Sequence, residues 1–155
     1  MKRIALIAGL ILALDQLSKW LVVQVMNLAE LGRIEVLPPW INFHMAWNRG
    51  VNFGLLSGDS DAARWLLIGV ALAISAWVLW WMRSESRTAA LVSAGLLIGG
   101  ALGNVVDRLV YGAVADFLNM SCCGFSNPFA FNVADIAIFL GAFGLILFTG
   151  EKKTP

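Results

Sequence analysis

Charge is what this sequence has least of. Asp, Glu, Lys and Arg make up 14% of 155 residues, against 59% hydrophobic. A soluble domain carries about 25% charged and about 45–50% apolar residues. The composition therefore excludes an ordinary water-soluble domain and points to a multi-pass membrane protein, in line with a mean hydropathy of +0.78. The formal net charge is +1, and Lys and Arg occur singly or in pairs. Without a basic stripe, no nucleic-acid partner is expected. Cysteine is nearly absent: Cys122 and Cys123 are adjacent, and such a pair bonds to itself only through a strained ring. They read as free thiols or small loop residues. The lone histidine, His44, sits in a strand-like run with no nucleophile motif and reads as a packing or interface residue. No metal-ligand cluster is visible, so neither a metal nor another cofactor is expected. The length allows one compact domain, 1–155.

What the chain has instead is long apolar runs. Lys2 and Arg3 precede an apolar run from Ile4 to Leu14, the pattern of a signal peptide. No small-x-small site follows it, Asp15 and Lys19 occupy that position, and apolar sequence resumes from Trp20 to Met26. One retained membrane helix over about 4–26 is expected, since a crossing needs about 20 residues. Further helices are expected over 62–82, 88–110 and 132–150. The third is rich in small residues, Gly95, Gly99, Gly100 and Gly103, which let helix backbones approach closely.

Between the first two helices, residues 30–57 hold short runs, IEVL, WINFHMAW and VNFGLL. Alternation and β-branched or aromatic residues predict strands there, with a turn at Asn48-Arg49-Gly50. The expected fold is thus an all-α membrane protein of four transmembrane helices with a small extramembrane β-cradle. Lys2/Arg3, Arg83/Arg87 and Lys152/Lys153 flank alternate ends of the spans. The positive-inside rule places these sites and both termini in the cytoplasm. Residues 30–57 and the loop after the third helix then lie on the outer side.

The acidic residues carry the chemistry. Asp15 and Lys19 are spaced i, i+4 on one helix face and are expected to pair, because charges inside a membrane need partners. Asn104, Asp107 and Arg108 share one side of the third helix. Arg108 can pair with Asp107 or bind a lipid phosphate. Asp116 follows the outer end of that helix, Asp135 lies at the outer start of the fourth, and a loop connects them. Two neighbouring carboxylates cannot both ionise easily. The charged one can activate water while the protonated one donates to a carbonyl, as in aspartic proteases. Asn132, one turn before Asp135, is a candidate helix cap. From spacing alone, satisfied helix-end polars, or a proton-coupled transporter or channel subunit using these acids as a relay, stay open.

The blocks Gly103–Phe117, G-N-V-V-D-R-L-V-Y-G-A-V-A-D-F, and Phe131–Asp135, F-N-V-A-D, resemble the signature blocks of the bacterial lipoprotein signal peptidases. The first fits the family pattern G-N-x-x-D-R-x-x-x-G-x-V-x-D-F at every fixed position. Asp15-Gln16 with Lys19, and Asn48-x-Gly50 with Phe53-Gly54, agree as well. The resemblance implies a membrane aspartic endopeptidase of the bacterial inner membrane. It would remove signal peptides from diacylglyceryl-modified prolipoproteins, cleaving before the lipidated cysteine at the outer face. It implies Asp116 and Asp135 as the catalytic dyad. Asn48, Gly50, Asn104, Arg108 and Asn132 would shape the site, with Asp15, Lys19 and Asp107 as structural support. Expected partners are the prolipoproteins and membrane lipids, the chain itself being a monomer. Residues 33–56 and the turn at 57–61 are a candidate lid. Asn52, where the family usually has a small residue, and the loop Asn119–Pro128 depart from the family pattern. The sequence also lacks the G-x-G-D motif of presenilin-type proteases.

Overall fold

A computed structural model describes residues 1–38, 40–50, 61–121 and 127–150. Helix α1 runs Lys2–Lys19 and continues as a π-helical segment over Trp20–Val25. A single-turn helix α2 (Leu28–Leu31) leads to strands β1 (Arg33–Leu37) and β2 (Ile41–Asn48). Helix α3 (Asp61–Trp81) is followed by α4 (Thr88–Tyr111), strand β3 (Val114–Met120) and α5 (Val133–Phe148). Among these, Lys2–Val25, Asp61–Ser84 and Thr88–Tyr111 are long and apolar enough to cross a membrane. The fourth apolar run forms α5, whose 16 residues extend about 24 Å, short of a hydrocarbon core of about 30 Å.

Helix α4 is the buried centre of the bundle, and its glycines explain why. Gly95, Gly99 and Gly103 recur every four residues and so form one row, where α1 lies against the backbone. A Cβ at Gly99 would meet the Ala8 carbonyl oxygen at 2.7 Å, and one at Gly103 would meet Asp15 Oδ2 at 2.6 Å. Across α4, Gly141 of α5 packs as closely: a Cβ there would fall 2.5 Å from the Leu97 nitrogen. Such contacts are how membrane helices associate, since lipid offers no hydrophobic driving force between them. Ile4, Ala8, Asp15 and Lys19 are the buried stripe of α1. Leu6, Leu10, Leu14 and Leu17 point outward, as do Trp77 and Trp80 of α3 and Phe139, Phe143 and Ile146 of α5, making an apolar exterior suited to lipid.

The sheet is antiparallel with order β1-β2-β3. The VNFGLL run expected as a strand lies outside the described residues, together with Asn52 and positions 39 and 51–60 of the candidate lid. The third strand of this sheet is Val114–Met120, in the stretch that the sequence predicts as a loop. Gly112 makes this possible. At φ +76° it ends α4 in the left-handed conformation, which glycine adopts without a Cβ penalty, and the chain turns at once into the sheet. The π-helical segment serves the same end. Its wider turn buries the consecutive residues Val22 and Val23, and Val22 packs with Leu28 and the fully buried Phe117 of β3. Phe43 meets Phe117 edge-on at 5.6 Å. The strand bearing Asp116 is thereby fixed to the end of the first helix.

Candidate active site

Asp116, expected in the loop that follows the third helix, lies on β3. It pairs in register with Ala46 of β2, while Asn48 pairs with Val114. Residues two apart on a strand share a face, so Asn48 reaches diagonally to Asp116, and its Nδ2 donates to Asp116 Oδ2 at 3.1 Å. Gly50 shapes the turn behind Asn48. Its N–H donates to Asn48 Oδ1 at 3.0 Å, its φ is +105°, and a Cβ there would meet Leu67 of α3 at 2.7 Å.

The opposite wall comes from the segment entering α5. Phe131 forms an isolated antiparallel bridge with Leu118: its carbonyl accepts the N–H of Leu118 at 2.8 Å, and its own N–H donates to the Leu118 carbonyl at 3.0 Å. The bridge delivers Asn132 to Asp116, and Asn132 Nδ2 donates to Asp116 Oδ1 at 2.6 Å. Asn132 is also the N-cap of α5. Its Oδ1 accepts the Asp135 N–H at 2.9 Å, and its own N–H donates to Asp135 Oδ2 at 3.2 Å, a reciprocal capping box that satisfies orphan donors of the first turn. Asn104 of α4 closes the ring, donating to Asp135 Oδ1 at 2.9 Å while its Oδ1 accepts from Asn132 at 3.3 Å. Asp116 and Asp135 thus approach each other from a strand and a helix, coupled through one fully buried asparagine.

Asp116 is buried and Asp135 half-buried. Burial, and secondarily the charge of Asp135, push the Asp116 carboxyl from its ordinary 3.8 up to about 6. The bonds from Asn48 and Asn132 and the positive charge of Lys19 oppose this rise. Arg108 lies within electrostatic reach of both carboxylates. The sign follows directly. A folded-state value above the unfolded one means that the folded chain binds this proton more tightly, so stability is lost as pH rises from about 3.8 to about 6, and the cost stays constant above that. The Asp116 carboxyl thereby holds its proton to a higher pH than an ordinary aspartate does. Asn48→Ala removes a donor to the ionised form, so the ionisation near 6 should move upward. The pH profile of kcat/KM for wild type and variant measures it, and coincident profiles would reject the assignment.

Of the two partners expected for Arg108, Asp107 is not the one it bonds. Its Nη1 donates to the Asn104 carbonyl at 3.3 Å, whereas Asp107 bonds Lys19 at 2.7 Å, Gln16 at 2.9 Å and the Ala115 N–H at 3.0 Å. Asp15 and Lys19 do pair, at 2.8 Å. His44 is exposed on β2, opposite Arg33. The departing loop is anchored by Asn119, whose Nδ2 donates to the Asn127 and Phe129 carbonyls, both at 2.8 Å; Cys122 and Cys123 lie outside the described residues. Among the described residues no three His, Cys, Asp or Glu side chains are grouped to hold a metal ion. Spacing alone gave no sign that Asp107 would turn to α1, nor of the backbone donors at Ala115 and Ala134.

The family model for signal peptidase (SPase) II matches residues 7–150. The chain is 44% identical over 146 residues to a lipoprotein signal peptidase of Methylorubrum extorquens, covering 93% of this chain and 82% of that protein. It is 40% identical over 153 residues to one from Alteromonas mediterranea, covering 96% and 82%. Among solved structures, a bacterial membrane enzyme determined by the in meso method at 1.9 Å is similar with a TM-score of 0.79 and 27% identity, covering 99% of this chain and 96% of that one. Another, at 2.3 Å, gives 0.76 and 26%, covering 100% and 95%.

Proposed function

The chain belongs to the signal peptidase II family, and on that premise we propose that it is a membrane aspartic endopeptidase that removes signal peptides from diacylglyceryl-modified prolipoproteins. The observation that carries this reading is the coupling of Asp116 to Asp135 through Asn132, at 2.6 Å to one and through a capping box to the other. In the first step one carboxylate takes a proton from water while the other, protonated, donates to the scissile carbonyl. The water oxygen bonds to the carbonyl carbon. Collapse then breaks the C–N bond, leaves a carboxylic acid on the signal peptide, and passes a proton to the amine of the lipidated cysteine. The dyad titrates as a unit, and neither member is assigned a fixed role.

The depth of the site fits such a substrate. The end of α4 and the start of α5 meet where the sheet begins, so the dyad stands at one end of the bundle. Acyl chains anchor the cysteine at a membrane surface, and a signal helix lies in the bilayer beside it. Lipid-facing helix surfaces hold both and orient the bond, converting binding into proximity. We place this end on the outer side of the bacterial inner membrane, with both termini cytoplasmic, a monomeric chain, and four crossings, the short α5 making the fourth by local thinning of the bilayer. The positive-inside pattern of Lys2/Arg3, Arg83/Arg87 and Lys152/Lys153 supports the orientation. The transporter alternative has no support: the relatives are peptidases, and Asp15, the one acid that a relay would place at another depth, bonds the Ala134 N–H beside the dyad.

The test uses the full chain in detergent with one prolipoprotein in diacylglyceryl-modified and unmodified forms, the products being read by mass spectrometry. Cleavage is expected only before the modified cysteine, and unchanged in EDTA. Equal rates on both forms would remove the lipid requirement, and loss of activity in EDTA would remove the aspartic mechanism.

A further inference from the structure

Beside the dyad lies a second polar cluster that the reaction does not use. Lys19, 4% exposed, stands between two fully buried carboxylates, 2.8 Å from Asp15 Oδ2 and 2.7 Å from Asp107 Oδ2. The Gln16 amide bonds the same two groups, at 3.1 and 2.9 Å. Three charges inside a bundle are costly, and the glycine row of α4 already provides close packing between α1 and α4. Orienting those helices does not need them.

The far side of each carboxylate supplies the reason. Asp15 Oδ1 accepts the backbone N–H of Ala134 at 3.0 Å, and Asp107 Oδ2 accepts that of Ala115 at 3.0 Å. Ala134 directly precedes Asp135, and Ala115 directly precedes Asp116. The Ala134 N–H is one of the donors that a helix start leaves without an intrahelical partner. Asn132 satisfies the next one, on Asp135, and Asp15 reaches across from α1 for this one. We infer that Asp15, Lys19 and Asp107 are positioning residues, a single lysine-centred cluster that grips the backbone beside each dyad aspartate and sets the separation and aim of the two carboxylates. This rests on the dyad reading above. It explains why the cluster is charged: carboxylates accept strong bonds from backbone N–H groups, and the lysine binds two of them into one rigid part.

The test compares alanine and asparagine at positions 15 and 107 in the full chain, measuring kcat, KM and thermal stability on a lipidated prolipoprotein. Asp15→Ala and Asp107→Ala should each lower kcat about 100-fold, the effect of a displacement of about 1 Å, with KM within about three-fold because no substrate contact is lost. Asp107→Asn keeps one oxygen for both the Ala115 N–H and Lys19, with Gln16 facing the new amide group, and should recover kcat to within about ten-fold of wild type. Asp15→Asn keeps an oxygen for the Ala134 N–H but turns its amide nitrogen to Lys19, and should recover less. Alanine variants that melt lower yet keep kcat would overturn the inference, as would a folded Asp107→Asn variant no better than Asp107→Ala. If an alanine variant does not fold, Lys19→Met decides. It fills the volume but unties the two carboxylates, and normal kcat in folded Lys19→Met overturns the inference. Asp116→Asn runs beside them. If it is inactive while the alanine variants turn over at full rate, this inference alone fails; if it cleaves normally, the dyad reading fails and takes this inference with it.

Discussion

Asp116→Asn and Asp135→Asn should each lower kcat by about 1,000-fold or more while the folded chain still binds its substrate. Proton transfer by a positioned group contributes about 100- to 10,000-fold, and in the proposed mechanism each aspartate acts both as an acid or base and as half of a shared-proton pair. Asparagine keeps the shape. At Asp116 the carboxylate accepts from Asn48 and Asn132, and one amide oxygen still accepts the shorter of these bonds. At Asp135 the oxygen that accepts the Asn132 N–H can be retained, so the cap of α5 survives. The fold should therefore hold, and Asp116→Asn should lose the stability cost that the wild-type carboxylate carries above pH 6, because a group whose ionisation is pushed up to about 6 by burial strains the folded state when charged. The expected pattern is a variant at least as heat-stable as wild type near pH 8, with unchanged affinity for a lipidated prolipoprotein and almost no turnover. Cleavage kinetics, substrate binding and melting, measured on one preparation, check all three. Normal turnover by either variant would end the dyad assignment.

How much of this was legible in the sequence depends on which physical signal carried each part. The membrane helices announce themselves through long apolar runs, because a bilayer demands about 20 such residues, and the glycine row of α4 shows its close packing by composition. The pairing of Asp15 with Lys19 follows from helical spacing. Strand β3 could not be read in this way. Val114–Met120 contains Asp116 and Asn119 and lacks clean alternation, because it is buried on both faces for most of its length; its neighbours, β2 on one side and Phe131 on the other, are distant in sequence. The partner of Asp107 was hidden for a related reason. Spacing along α4 groups it with Asn104 and Arg108, but each turn of a central helix faces two neighbours, and Asn104 looks to α5 while Asp107 looks to α1. Backbone donors such as the Ala115 and Ala134 N–H leave no mark in a sequence at all.

Asn132 is where the largest loss of stability and activity together is expected. In one side chain it caps α5, bonds Asp116 at 2.6 Å, touches the Ala115 carbonyl at 3.4 Å and accommodates Asn104 at 3.3 Å, and it is fully buried. Asn132→Ala removes the cap, at about 1 kcal/mol, and leaves buried acceptors on Asp116 and Asn104 without their donor, at about 1–3 kcal/mol each. The sum is a large part of a stability that is typically about 5–15 kcal/mol, and a clear fall in melting temperature should accompany a loss of activity of at least about 100-fold from dyad misplacement. Asn132→Asp separates the two effects. It keeps the oxygen that caps the Asp135 N–H, and aspartate is as good an N-cap as asparagine. But it sets a third carboxylate where the donor to Asp116 stood. Like charge raises a neighbouring carboxyl further, so Asp116 should hold its proton well above 6 and the pair should lose its charged member at neutral pH. Asn132→Asp should therefore melt closer to wild type than Asn132→Ala while remaining as inactive, and its residual rate should climb with pH more steeply than that of wild type. Equal melting losses in the two variants would show that the cap contributes little to α5, and an active Asn132→Asp would show that Asp116 does not depend on this donor.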